Sequence, residues 1–311
     1  MDEPLEQQPS TPKVSAIIVS YNCAAALRRC LAALERSRDR GKLEIIVVDS
    51  GSRDECPGID TEFSKVTVMR LERHFGLAKA LNIGCRSAQA EYLLFLDPNV
   101  EVSPETMTAL AAKLDSDPDA VAVTPLIVDL EGRPSSVIRP LPAAANLKTA
   151  LSDAPFETVS LDLTAETISV PWADWGAVMA RKFFVRGLNY FDERFGHHWL
   201  DVELCFQIRR ASKKTLLLPK LKVVRRPAED SFPLDKSARA ALAADRALGA
   251  ATFARKHFGA GVGFMLRLSL VFGAIGRALK ALVTFHDFGF EFDRTSAIVT
   301  GQKIDGSQRA L

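Results

Sequence analysis

An α/β fold with a mixed, mostly parallel sheet flanked by helices is predicted by three features of the 311-residue chain. Short apolar, β-branched runs alternate with segments of helical period, the pattern of successive strand and helix pairs. Polar and acidic residues gather directly after those runs, where open α/β sheets hold ligands. Beyond Pro227 long helical stretches replace the strands, which predicts a C-terminal helical extension.

The first strand is VSAIIVS, Val14 to Ser20, a run suited to burial on both faces. After Tyr21 and Asn22, Leu27, Leu31 and Leu34 recur at helical spacing. The unit returns as LEIIVVDS, a polar loop, VTVMRLE, the helical GLAKALNIGCRSA and the apolar EYLLFLD. From Val128 to about Val170, Pro, Ser and Ala become frequent and EGRP marks a turn, so loops on the acceptor side are expected. WGAVMARKFF reads as a strand entering a helix, and WLDVELCFQIRRASKK as a helix with a basic last turn. TLLLP and LKVV read as two short final strands. The expected division is a disordered tail over 1–13, the α/β domain over 14–227, a basic amphipathic helical extension over 228–290 and a flexible tail over 291–311.

Composition excludes several classes. Hydrophobic residues make up 47% and charged residues 25%, the balance of a folded chain and not of a disordered or fibrous one. A net charge of +2 is too small for a nucleic-acid partner, which calls for a strongly basic surface. The five cysteines form no CxxC pair and lie in apolar-periodic segments, so buried free thiols in a reducing compartment are expected. The acidic, polar start MDEPLEQQPSTPK does not resemble a signal peptide. No run of 18 consecutive apolar residues occurs, so a cytoplasmic protein is expected, with any membrane contact peripheral at the inner face.

Four motifs carry polar groups to the strand ends. In VVDSGSRDE, Asp49 ends a strand and is followed by Ser50, Gly51, Ser52 and Asp54, which suit a base N–H or ribose hydroxyl or, equally, the capping of the next helix. In HFGLAKALNIGCRSA, Gly76 precedes a helix that carries Asn82 and Gly84; the GxGxxG spacing is missing, and tight packing competes with phosphate binding. In YLLFLDPNVEVSPE, Asp97, Pro98 and Asn99 offer oxygens to a hard cation or form an Asp-Pro turn. In HHWLDVELCFQ, Asp201 could take a proton from an attacking hydroxyl, whereas adjacent His197 and His198 point apart and lack a partner pair at metal spacing.

Taken in order, AIIVSYN, VVDSGSRD, FGLAKALNIG, LLFLDPN, WGAVMARKFF, LNYFDERF and LDVELCFQIRRA resemble the family 2 glycosyltransferases of GT-A fold, rhamnosyltransferase-like branch, over about Val14 to Arg226. The resemblance implies an inverting transfer of a sugar, rhamnose in that branch, from a nucleotide diphosphate to a hydroxyl of a saccharide or polyprenyl-linked saccharide in cell-surface polysaccharide synthesis. It implies nucleotide-sugar contacts from Tyr21, Asn22, Asp49, Ser50, Ser52, Gly76, Asn82 and Asp97, with Mg²⁺ or Mn²⁺ at Asp97 and Asn99. Trp175, Gly176, His198 and Trp199 would face the acceptor, and Asp201 would be the base.

The sequence departs from the family pattern at three places. Asn99 stands where an Asp is usual, Leu200 replaces the Glu before Asp201, and Arg225 and Arg226 replace a late histidine. An arginine there would contact the diphosphate and offset the lost ligand charge. The same departures motivate the alternative of a catalytically degenerate nucleotide-sugar-binding or scaffold protein. The interval between Asp245 and Asp287 has no acid and six basic residues, so an anionic membrane surface competes with helix packing or a homo-oligomer contact.

Overall fold

The computed structural model describes residues 11–135, 138–147, 161–173, 175–227, 236–284 and 287–301. Most of the tail expected over 1–13, and parts of the loop region before Val170, lie outside the described residues.

The predicted strand and helix alternation forms as expected: β1 (Val14–Ser20), α1 (Ala24–Glu35), β2 (Leu43–Asp49), β3 (Val66–Arg70), α2 (Leu77–Ser87) and β4 (Tyr92–Leu96). Next come β5 (Val100–Glu101), α3 (Thr106–Ser116), β6 (Ala120–Val128) and β7 (Ile168–Val170). β8 (Ala177–Arg181), α4 (Lys182–Gly187), α5 (Leu200–Arg210) and β9 (Lys214–Arg225) complete the sheet region. The sheet runs β3-β2-β1-β4-β8-β6-β9-β5, with β7 against β9. Strands β3, β2, β1 and β4 are parallel, β8 turns antiparallel to β4 and β6, and β6 pairs parallel with β9. The mixed, mostly parallel sheet flanked by helices, with helices after it, is that predicted.

Alternation along the strands decides how the layers stack. In β1, Ala16 and Ile18 join the core beneath α1 and α3, with Leu27, Leu31 and Leu110, while Ile17 joins the opposite core beside Leu81 and Cys85 of α2 and Leu204 of α5. Both faces of β1 are therefore buried, which explains its unbroken apolar run. Gly84 lies where α2 crosses the sheet; a Cβ there would stand 2.6 Å from Ile17 Cγ2 and 3.3 Å from Val48 Cγ2. Packing is thus the role of this glycine, and Gly84→Ala is expected to destabilise the fold by about 1–3 kcal/mol, read as a lower denaturation midpoint in urea.

Three boundaries differ from expectation. TLLLP and LKVV are one strand, β9; a register shift at Pro125/Leu126 absorbs the irregularity that the intervening PK suggested as a break. The extension is not separate from the α/β body: in α6 (Lys236–Phe258), Ala250, Phe253 and Ala254 belong to the same core as Phe95 and Leu204. The flexible tail over 291–311 also needs correction, because α8 (Phe288–Thr300) is helical and buries Ala297 and Ile298 against Ala244 and Ala247 of α6 and Ala274 of α7 (Ala260–Thr284). Small residues on three facing helices let the backbones approach, a tertiary effect that local composition does not announce.

An ionic cluster locks α6 onto α5. Buried Glu203 accepts from Gln207 Nε2 and pairs with Lys256 Nζ, each at 2.8 Å, and meets His257 Nε2 at 2.6 Å. Burial opposes the charge on Glu203, but those donors outweigh it and hold its pKa below the usual glutamate value.

Candidate active site

A cavity of about 670 Å³ opens at the carboxyl ends of β1 and β4, the position expected for an open α/β sheet. Tyr21 and Asn22 reach it from the end of β1, Asp97 and Asn99 from the end of β4, and Trp199 and Asp201 from the start of α5. Trp172 and Trp175 close one side, and Leu242 and Arg246 of α6 contribute to the wall. Tyrosine and tryptophan rings with a few convergent polar groups suit a base and a sugar, which present flat apolar faces edged with hydroxyls.

Each wall residue has a local cause. Trp175 stacks on Phe95 of β4 at 4.9 Å, so the core fixes its ring. Trp199 precedes α5 with φ 77°, a conformation unusual for a tryptophan, and its Nε1 donates to Arg246 O at 2.9 Å. That turn brings Asp201 into the first turn of α5, where Trp172 Nε1 donates to its Oδ2 at 2.8 Å. The N-terminal end of α5 and the indole N–H thus both face the Asp201 carboxyl group.

At the end of β4, Asp97 Oδ1 accepts from Asn99 N at 2.7 Å and from Asn99 Nδ2 at 3.0 Å. With its NH₂ committed to Asp97, the Asn99 amide leaves Oδ1 buried and unpartnered among the described residues. A buried orphan oxygen beside a carboxylate fits a hard divalent cation. Among the described residues no group of three or more His, Cys, Asp or Glu could hold a metal, so further ligands would be substrate oxygens or water.

The loop after β2 lies beneath the cavity. Asp49 is buried, and accepts from Ser20 Oγ and Ser52 N, each at 3.1 Å. Ser52 Oγ accepts from Asn22 N at 2.9 Å, and Ser50 Oγ lies 2.9 Å from His74 Nδ1. Gly51, at φ 78°, is required by close approach as well as conformation, since a Cβ would lie 2.6 Å from Arg73 Cα. Asp49, Ser50 and Ser52 therefore shape the floor and are not among the lining residues. Gly76 precedes α2 and is likewise outside the lining, between the lining residues His74 and Leu77.

Several expected contacts point elsewhere. Asn82 is turned into the scaffold: its Oδ1 accepts from Phe191 N at 2.8 Å, and its Nδ2 donates to Phe191 O at 2.9 Å and Glu193 Oε1 at 3.0 Å. Arg225 and Arg226 do not line the cavity either. The Arg225 guanidinium lies against Gly176, where a Cβ would come within 2.1 Å of it, while Arg226 pairs with Glu101 and its N–H donates to Asn99 O at 2.9 Å. Gly176 itself accepts from Asp97 N at 3.0 Å and sits behind the wall. Arg225 ends β9 and Arg226 follows it, and in this structure their side chains meet different neighbours, Gly176 and Glu101.

The structure also brings in residues that sequence reasoning passed over. Asp245 of α6, 5% exposed, accepts from His197 N at 2.9 Å and His198 N at 3.0 Å, and lies 3.1 Å from His198 Nδ1. It is the only acid of α6, on an alanine-rich face, which is the signal that could have marked it. His74 is buried beside Tyr21 with ring centroids 5.0 Å apart, and its Nε2 has no protein partner among the described residues. Burial first, then the nearby His197, pushes its pKa down to about 4, so it is neutral near pH 7. All five cysteines are buried and free, as expected.

The sheet order and cavity define a GT-A fold. The chain superposes on GalNAc-T7 solved with UDP, GalNAc and Mn²⁺ at a TM-score of 0.58 and 20% identity, covering 72% of this chain and 45% of that one. It also superposes on the mannosyltransferase PcManGT of Pyrobaculum calidifontis, solved with GDP-Man and Mn²⁺, at a TM-score of 0.54 and 16% identity, covering 97% and 92%. At these identities the likeness establishes the fold. Residues 15–154 match the model of Glycosyl transferase family 2, over the region that supplies Tyr21, Asn22, Asp97 and Asn99. The EpsH protein of Bacillus subtilis is 33% identical over 99 residues, 30% of this chain and 28% of that protein. The chain thus matches less than a third of the length of that relative.

Proposed function

We propose that the protein is an inverting, metal-dependent glycosyltransferase that moves a sugar from a nucleotide diphosphate to an acceptor hydroxyl. The observation that carries this reading is the convergence of Asp97, Asn99 and Asp201 on one aromatic-lined cavity at the strand ends of a GT-A fold. The solved neighbours were crystallised with UDP, GDP-Man and Mn²⁺, which supports the donor and metal classes.

In this mechanism Tyr21, with His74 beside it, holds the base end of the donor, and Trp172 and Trp175 bound the sugar end. Asp97 and Asn99 Oδ1 would hold Mg²⁺ or Mn²⁺, and such an ion would supply charge neutralisation for a leaving diphosphate. Asp201, oriented by Trp172 Nε1, takes the proton of the acceptor hydroxyl as its oxygen attacks the anomeric carbon opposite the diphosphate. One displacement inverts that centre. His198 and Trp199 stand beside Asp201 on the acceptor side, a saccharide or lipid-linked saccharide. The family branch that the motifs resemble makes dTDP-rhamnose the first donor to try.

The reading is tested by thermal unfolding with UDP, GDP, dTDP and their sugars, each with Mg²⁺, Mn²⁺ or EDTA. One nucleotide class should stabilise the protein, by about 2.7 kcal/mol at a hundred times its Kd, and EDTA should remove the effect. If a nucleotide binds equally well in EDTA, the metal assignment fails. If none binds, the donor assignment fails and a degenerate scaffold, which Asn99 and Leu200 would suit, takes its place.

A further inference from the structure

Helix α7 lies in the region expected to be a basic amphipathic extension, and the structure shows which of its faces is packed and which is not. Gly263, Leu266, Leu270, Ala274 and Ala281 face the protein, where Leu266 and Leu270 meet the α/β core and Ala274 meets α6 and α8. Facing outward are Phe264, Met265, Leu268, Phe272, Ile275, Leu279, Leu282 and Val283, each at least 39% exposed. At about 100° per residue these eight fall within an arc of roughly 100°, opposite the packed stripe. From Phe264 to Val283 the ridge runs about 28 Å at 1.5 Å per residue. Alongside it α8 exposes Phe288, Phe292 and Val299, also on one stripe of helical spacing.

An apolar ridge of this size on the outside of a folded protein calls for a cover. Its charges indicate which. Helix α7 contains no acidic residue, and exposed Arg267 and Lys280 lie on either side of the ridge, outside its arc. Apolar residues flanked by cations match the boundary of an anionic bilayer, where acyl chains lie beneath phosphates. Among the described residues α7 is also the one helix long and apolar enough to cross a membrane. Crossing conflicts with its packing, because Leu266 and Leu270 are held against the α/β core and Arg277 lies 3.5 Å from Glu291 of α8.

We propose that α7 lies in the plane of an anionic lipid surface, with the ridge from Phe264 to Val283 immersed at the headgroup and acyl boundary and Arg267 and Lys280 at the phosphates. Helix α6 packs on α7 and supplies Leu242 and Arg246 to the cavity, so docking through α7 would hold the mouth of the cavity near the surface. The inference needs neither nucleotide nor turnover and stands apart from the proposed reaction.

The test is co-sedimentation of the full chain with vesicles of phosphatidylcholine alone or with a quarter phosphatidylglycerol, without nucleotide. Binding should be at least tenfold tighter to the anionic vesicles and weaken in salt, since each basic residue near such a surface is worth about a fivefold change. The double substitution Leu268→Glu with Phe272→Glu should abolish it while leaving the thermal midpoint unchanged, both side chains being exposed. The three tryptophans of the chain all line the cavity, so a Phe272→Trp variant adds a ridge fluorophore that brominated lipids should quench beyond the wild-type background. Equal binding to neutral and anionic vesicles would overturn the role of the cations. No added quenching in the Phe272→Trp variant, together with a dimer in light scattering that the double Glu variant dissolves, would assign the ridge to a second copy of the chain instead.

Discussion

Asp201→Asn should lower kcat by about 10²- to 10⁴-fold while donor affinity stays within a few-fold of wild type. The amide keeps the size of the side chain and can still accept from Trp172 Nε1, so the start of α5 need not move. What it loses is the capacity to take a proton. The effect therefore belongs in turnover and not in nucleotide binding, and comparing single-turnover rates with donor titration separates the two. A variant that turns over at near-normal rate would remove Asp201 from the role of base; a variant that loses donor binding as well would place it on the donor side.

Asp245→Ala should cost about 2–4 kcal/mol of stability and, with donor saturating and below the unfolding transition, about 10²-fold in kcat. Asp245 touches no reacting atom in the proposed mechanism; it is a positioning residue that gathers the backbone N–H groups of His197 and His198 just before Trp199 and Asp201. Truncation leaves those part-buried donors without their acceptor, and a shift of about 1 Å in the turn before Asp201 is enough for such a loss of rate. Asp245→Asn, which keeps one acceptor oxygen, should recover part of both. If Asp245→Ala loses stability but keeps the wild-type kcat, its role is structural only. The contrast with Asp201→Asn is diagnostic, because that variant should leave stability nearly unchanged.

Legibility of the site followed the kind of interaction each residue makes. Tyr21, Asn22, Asp97, Asn99 and Asp201 were readable because each follows an apolar strand or opens a helix within a short motif. Asn82 was misplaced: its position one turn into α2 suggested the ligand side, but its amide is consumed by Phe191 and Glu193, 109 and 111 residues away in sequence. Arg225 and Arg226 were placed at the diphosphate because the resemblance puts a histidine there, and their side chains instead meet Gly176 and Glu101 outside the cavity lining. Asp49 was expected at the nucleotide, and its carboxylate also ties the end of β2 to Ser20 of β1 and to Ser52 of the following loop, partners that the motif alone does not announce.

The sequence by itself determined the α/β class, the order of strands and helices as far as β4, the later strand-to-helix step at β8 and α4, the buried thiols and the strand ends where the cavity opens. Those features rest on period, on β-branched runs and on local turns, which neighbouring residues settle among themselves. Tertiary structure alone decided that α6 completes the active-site wall, that α8 is ordered and that the outward face of α7 is apolar. Each depends on which of several similar helical faces meets the core. In an alanine- and leucine-rich helix that choice is made by long-range packing, through contacts such as Phe253 on Trp199 and Asp245 on His197, which leave no periodic mark in the chain.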